Sequence, residues 1–210
     1  MPAAPEKRAA ITRAALTVFG RDGYSRAGMD ALAKEAGVST RTVYNHFPGG
    51  KEQLFATVIH DSADAVRAAT FDLMARHLDG LLDRAAADVP DALHALALDW
   101  VSPLAEFRAH FALVRQIIAD AAHLPPEVLA DWQATGPAPV RAELARRFAE
   151  LTTRGRLAAT DPRLAASHFI LLTGAEVTNR TLYGVFPLPQ QELEQVVRSG
   201  VSAFLRLYGR

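Results

Sequence analysis

The chain has 210 residues, no cysteine, and 23 basic against 23 acidic side chains, enough material for one large domain or two smaller cores without covalent staples. The missing cysteines exclude a disulfide framework, a thiolate zinc or iron–sulfur site and a cysteine nucleophile. No apolar run approaches 18 residues and no signal-like stretch follows Met1, so a soluble cytoplasmic protein without a membrane partner is expected. The zero net charge hides an asymmetry. Residues 1–51 carry eight cations (Lys7, Arg8, Arg13, Arg21, Arg26, Lys34, Arg41, Lys51) against four anions (Glu6, Asp22, Asp30, Glu35), which leaves the remainder acidic by the same margin. A basic end on an acidic body suits a protein whose one end meets phosphate.

Apolar residues recur at helical spacing throughout, and alternation of period two is absent, so the fold expected is all-α. Ile11, Ala15, Val18 and Phe19 mark a first helix ended by Gly20 and Gly23. A short second helix carries Met29, Leu32, Ala33 and Ala36 before Gly37, and a third runs from about Ser39 to Phe47. Pro48-Gly49-Gly50 breaks the pattern. A long fourth helix then starts near Lys51, with Leu54, Phe55, Val58, Ile59, Val66 and Leu73 inward. Pro90 opens the next helix, which Pro103 kinks or ends. Phe107, Phe111, Val114 and Ile118 form a further stripe. Pro125-Pro126 starts a short helix with Trp132, Val140 to Leu151 mark another that closes at Gly155, and Asp161-Pro162 starts a helix of about 20 residues toward Gly184. The last helix shows Leu193, Val196, Val197, Gly200, Val201, Phe204, Leu205 and Tyr208. That stripe is too wide for one neighbour, so the helix is expected to face its own core and a partner subunit together. The domains expected are 1–50 and 51–210, with the fourth helix as connector.

Three short helices in about 40 residues, the last two joined at Gly37, give a helix-turn-helix in which Gly37 takes the left-handed conformation of the turn. Val38 plugs the space between the helices, and Ser39 caps the third. Thr40, Arg41 and Thr42 then occupy its first turn, where a recognition helix meets base edges. Val43 and Phe47 face inward. Arg41 and Asn45, four apart, share the outer face. Arg grips guanine bidentately and Asn does the same for adenine, while Thr40, Thr42, Tyr44 and His46 suit phosphate oxygens or a thymine methyl. Periodicity alone fits an ordinary amphipathic hairpin equally well; the side-chain chemistry is what favours a DNA reader.

Leu32-Ala33-Lys34-Glu35-Ala36-Gly37-Val38-Ser39, followed by Val43-Tyr44-Asn45-His46-Phe47 and Lys51, resembles the DNA-binding region of TetR-family regulators over roughly residues 7–55. The all-helical remainder resembles the family's ligand-binding and dimerisation domain. The stretch Phe111 to Gly174, with Arg154-Gly155-Arg156-Leu157 before Asp161-Pro162, is similar to AefR-type repressors. The resemblance implies a non-enzymatic homodimeric repressor, without cofactor, that holds a palindromic operator in double-stranded DNA until a small-molecule effector binds. It also implies that Tyr44, His46 and Lys51 meet phosphates while Thr40 to Thr42 lie against bases. Two departures stand out. Ala27-Gly28 occupies the start of the second helix, where the family has a hydroxyl residue, and three residues rather than two separate Phe47 from Lys51. Competing readings are a DNA-associated protein that recruits a protein partner and has no inducer, and a helical enzyme whose first helices only imitate a reader.

Farther along, Trp100, Leu104, Phe107 and Phe111 near Pro103 either line a ligand pocket or pack a core. Phe169, Leu172, Thr173, Glu176, Val177, Arg180 and Tyr183 share one stripe. Its polar members either touch ligand or partner, or Glu176 and Arg180 form a local i,i+4 pair. Phe169, Thr173 and Glu176 are grouped with the pocket. Leu172, Arg180, Val197, Val201, Phe204, Leu205 and Tyr208 are assigned to the dimer interface. The seven histidines include no HExxH pair, and His60 with Asp64 is read as a solvated face rather than a metal site.

Overall fold

A computed structural model describes residues 4–82, 88–102 and 107–210. Among them the structure is helical, without strands: α1 (Ala4–Arg26), α2 (Met29–Glu35), α3 (Thr40–His46), α4 (Gly50–Leu78), a 3₁₀ turn (Asp79–Leu82), α5 (Val89–Val101), α6 (Arg108–Ala119), α7 (Pro126–Thr135), α8 (Pro137–Thr153), α9 (Pro162–Thr181) and α10 (Gln190–Tyr208). The all-α expectation holds, and no described helix is long and apolar enough to cross a membrane.

The chain divides into two compact units. One takes the chain up to Ala65 together with Phe107–Gly136; the other takes Val66 to the end of α5 and Pro137–Arg210. The expected boundary at residue 50 falls inside the first unit, at the start of α4. Helix α4 contributes to both units, and α6 and α7, distant in sequence, fold with the N-terminal helices because their apolar faces complete that core.

In the first unit, Ile11, Val18 and Phe19 of α1, Leu32 of α2, Val43 and Phe47, Leu54, Phe55, Val58 and Ile59 of α4, and Leu113 and Ile117 of α6 form one buried cluster. Phe55 meets Phe19 edge-on at 4.9 Å and Tyr24 at 4.6 Å between ring centroids. Helix α1 continues through Gly20, where a Cβ would stand 3.1 Å from Ala112 Cβ, so glycine there permits the close α1–α6 approach. The backbone leaves helical geometry at Gly23, with φ 79°. Helix α6 buries Leu113, Val114 and Ile117 while Ile118 is exposed, so its inward face is rotated from the expected stripe.

In the second unit, α9 packs against both α8 and α10, and α10 against α5 as well. Its centre is an aromatic triangle: Phe148, Phe169 and Phe204 lie 5.2 to 5.6 Å apart. At Gly200 an added Cβ would fall 2.1 Å from the Leu172 carbonyl oxygen, so α9 and α10 cross almost backbone to backbone. The Asp161 carboxylate accepts from the amides of Arg163 and Leu164 at 2.9 and 3.1 Å, the N-cap expected of Asp161-Pro162. Helix α9 stops at Thr181, short of Gly184. Leu182 and Tyr183 both take positive φ, 48° and 54°, and close the C-terminus through bonds to Asn179 and Thr178 carbonyls.

Candidate nucleic-acid interface

The interface is built on α2 and α3. Gly37 has φ 65°, the left-handed turn conformation that side chains other than glycine's tolerate poorly. Ser39 is extended, and its hydroxyl accepts from the Thr42 amide at 3.1 Å, capping α3. Val43 and Phe47 are fully buried, while Val38 packs partly buried between the helices. This anchoring turns Arg41, Tyr44 and Asn45 outward, all exposed, with Thr40, Thr42 and His46 half-buried beside them. Arg41 and Asn45 make no side-chain hydrogen bond or ion pair with other described residues. A polar strip with a free guanidinium and a free carboxamide therefore runs along a short, well-capped helix. Thr40 differs: its hydroxyl donates to the Asp30 carboxylate at 2.9 Å and fastens α3 to α2. The start of α2 lacks a side-chain cap, as Gly28 requires. Arg26, just before it, donates its Nε to the Asp22 carbonyl at 2.8 Å.

Two cations hold this assembly from within. The Lys51 ammonium donates to the Tyr24 carbonyl at 3.0 Å and sits 4.5 Å from the centroid of the Tyr24 ring. The extra residue before it, Gly50 at φ 66°, starts α4 and directs Lys51 to the end of α1. Lys51, expected from the resemblance to meet a phosphate, is thus an internal fastener in this structure. The second cation escaped the sequence reading. Arg8 donates to the His46 carbonyl, at the last turn of α3, at 2.8 Å, and its guanidinium carbon lies 4.2 Å from the centroid of the Phe47 ring. A signal existed: Arg8 stands three residues before buried Ile11, on the inward face of α1.

Elsewhere in this unit the half-buried His110 imidazole is largely desolvated, which holds its pKa down at about 4. Its Nδ1 lies 3.3 Å from Ser62 Oγ, and that hydroxyl donates to the Ile59 carbonyl, so Nδ1 carries the proton of a neutral ring.

The expected pocket residues are divided between the two units. Phe107 and Phe111 belong to the first unit, whereas Trp100, Phe169, Thr173 and Glu176 belong to the second. Leu104 and Pro103 lie outside the described residues. Phe169 is sealed in the aromatic triangle, and buried Thr173 spends its hydroxyl on the Phe169 carbonyl at 2.7 Å. Glu176 is exposed and pairs with Arg180 at 3.6 Å, which also reaches Glu192; this is the local pairing alternative. One cleft of the second unit, about 490 Å³, lies instead between the start of α5 and α10, lined by Pro90, Asp91, His94, Arg198, Ser202 and Arg206 among others.

Several of the expected dimer residues pack within the chain. Val197, Val201 and Phe204 are buried in the second unit's own core, because α10 faces α9 and α5 together and its wide stripe covers both. Leu205 packs partly buried, and the Tyr208 hydroxyl lies 2.7 Å from His168 Nδ1. Leu172 alone of the apolar members is exposed. It stands with Leu164, Leu171, Leu182, Val185, Phe186 and Leu207, large apolar side chains that face solvent on this unit.

Comparison with known proteins agrees with the geometry. Residues 11–58 match the family described as bacterial regulatory proteins, tetR family, and residues 91–210 match the C-terminal domain of AefR-like transcriptional repressors. Over 69 residues, 33% of this chain, the sequence is 35% identical to the HTH-type transcriptional regulator LmrA of Bacillus subtilis strain 168; that match spans 37% of LmrA, little more than a third of its length. A TetR-family transcriptional regulator from Mesorhizobium loti superposes over 100% of both chains, with a TM-score of 0.84 and 30% identity. The flavonoid-responsive regulator FrrA covers 98% of each chain, with a TM-score of 0.70 and 30% identity. With a tetR-type reader at one end and an AefR-like domain over more than half its length, the chain belongs to the TetR family of DNA-binding transcriptional regulators.

Proposed function

We propose that two copies of this chain hold a palindromic operator as a repressor, acting in the cytoplasm, and release it when a small apolar or amphipathic molecule binds. The observation that carries the reading is the outer face of α3, where Arg41 and Asn45 stand exposed on a helix fixed by its buried opposite side. Arg41 reads guanine and Asn45 adenine, with Thr42 at the base edges and Tyr44 and His46 beside the backbone. The flavonoid-responsive neighbour supports an effector-released repressor. Selection from random duplexes tests it: a palindrome with half-sites about one helical turn apart is expected. On that site Arg41→Ala should cost about 1–3 kcal/mol and relax one base pair. Equal affinity for selected and random duplexes would overturn the reading.

The dimer surface proposed is the exposed apolar face of α9. Leu164 and Leu171 lie 7 residues apart, which returns them to one side of the helix, and 49% and 60% of their surface is exposed; Leu182, 54% exposed, follows directly at the helix end. This replaces Val197, Val201 and Phe204. Leu171→Glu should give a monomer in sedimentation and weaken operator binding; a dimer of undiminished stability would place the interface elsewhere.

A further inference from the structure

The C-terminal end of α3 is where Arg8 acts, and we infer that Arg8 is a positioning residue that sets the recognition helix for base reading, without itself touching DNA. The inference rests on the reading of α3 given above.

Helix α3 has only seven residues, Thr40–His46, about two turns. So short a helix holds its shape through tertiary fastening rather than its own hydrogen bonds. Its first turn is held by Ser39 and, through Asp30, by Thr40. Its middle is anchored by Val43. At its last turn the carbonyls carry partial negative charge and lack helical partners. Arg8, 38 positions away in sequence, donates there to the His46 carbonyl at 2.8 Å. The same guanidinium stacks on Phe47, the residue that ends α3 and is fully buried. One planar group thus satisfies a helix-end carbonyl and fixes the ring that anchors the helix, a pair of tasks for which the point charge of lysine is less suited. Asn45 immediately precedes the clamped residue. Loosening the last turn lets Asn45 drift from a bidentate geometry that tolerates little displacement, whereas the net attraction of the basic surface for phosphate changes little.

Arg8→Met keeps an apolar stem and removes both interactions. Hydrogen exchange of α3 amides, from Val43 to Phe47, should accelerate while α9 and α10 keep their rates. Affinity for the selected operator should fall at least about tenfold, the loss expected for a charge-assisted hydrogen bond. Affinity for a random duplex, and the slope of log K against log salt, should stay near wild type. Arg8→Lys, which keeps the charge, serves if the methionine variant does not fold. It should retain wild-type affinity for random DNA while recovering only part of the operator affinity and α3 protection. Unchanged α3 exchange in both variants would overturn the clamp. A parallel loss on operator and random DNA, with the slope shallower by about two per dimer, would make Arg8 a phosphate ligand instead. Should wild type select no sequence at all, the repressor reading fails, and the exchange measurement still decides whether Arg8 holds α3.

Discussion

The unit that carries α1 to α3 and the unit that carries α8 to α10 obey the same helical periodicity, yet they spend their polar side chains differently. In the first, an arginine, a serine and a threonine fasten one short helix, a lysine ties the start of α4 to the end of α1, and Arg41 and Asn45 on the outward face of the short helix are left unpaired. In the second, the helices run to 17, 20 and 19 residues, and their stability comes from an interior of interlocking rings. There the polar groups pair with one another, as in Glu143 with Arg146 and Arg147. A free polar face on a heavily fastened helix is therefore a better sign of ligand contact than a polar interruption on a long one, because the latter is readily satisfied by its own neighbours.

The contrast is open to breaking by measurement. Phe169→Ala removes one side of the aromatic triangle and should cost about 3–5 kcal/mol, read by denaturant titration; a loss below 1 kcal/mol would mean that the triangle is not the keystone of the second unit. In the first unit, His110 supplies the next largest effect. Its folded-state pKa near 4 lies below the ordinary 6.5, so the unfolded chain takes up a proton that the folded chain refuses. The stability it contributes is whole above pH 6.5, is lost as pH falls toward 4, and amounts to about 3 kcal/mol at most. Urea midpoints measured across that window should decline with acid, and His110→Gln should flatten the decline. Ser39→Ala, which strips the α3 cap, should cost about 1 kcal/mol and raise exchange in α3 alone. If that substitution instead weakened the second unit, the local character of the fastening would be wrong.

Much of the reader is legible in the sequence. Gly37 announced a left-handed turn, Ser39 a cap, and the four-residue spacing of Val43 and Phe47 a buried face, each a matter of local backbone chemistry that neighbours rarely override. Local signals also located the caps and breaks at Asp161, Pro162 and Gly155. The Lys51 contact was not legible because its partner depends on where the end of α1 lies, and the Arg8 contact because its partner is 38 residues away.

The same division holds for the rest of the molecule. Periodicity and capping, which act over three to five residues, determined that the chain is helical, roughly where its helices begin, and which short helix presents Arg41 and Asn45. Tertiary structure alone decided what each apolar stripe covers. The wide stripe of α10 reads identically whether it meets a second subunit or, as here, α9 and α5 of its own chain, and only the packing directions of three helices distinguish the two. It likewise decided that α6 and α7 join the N-terminal core, since burial is won by whichever complementary faces meet in space, not by proximity along the chain.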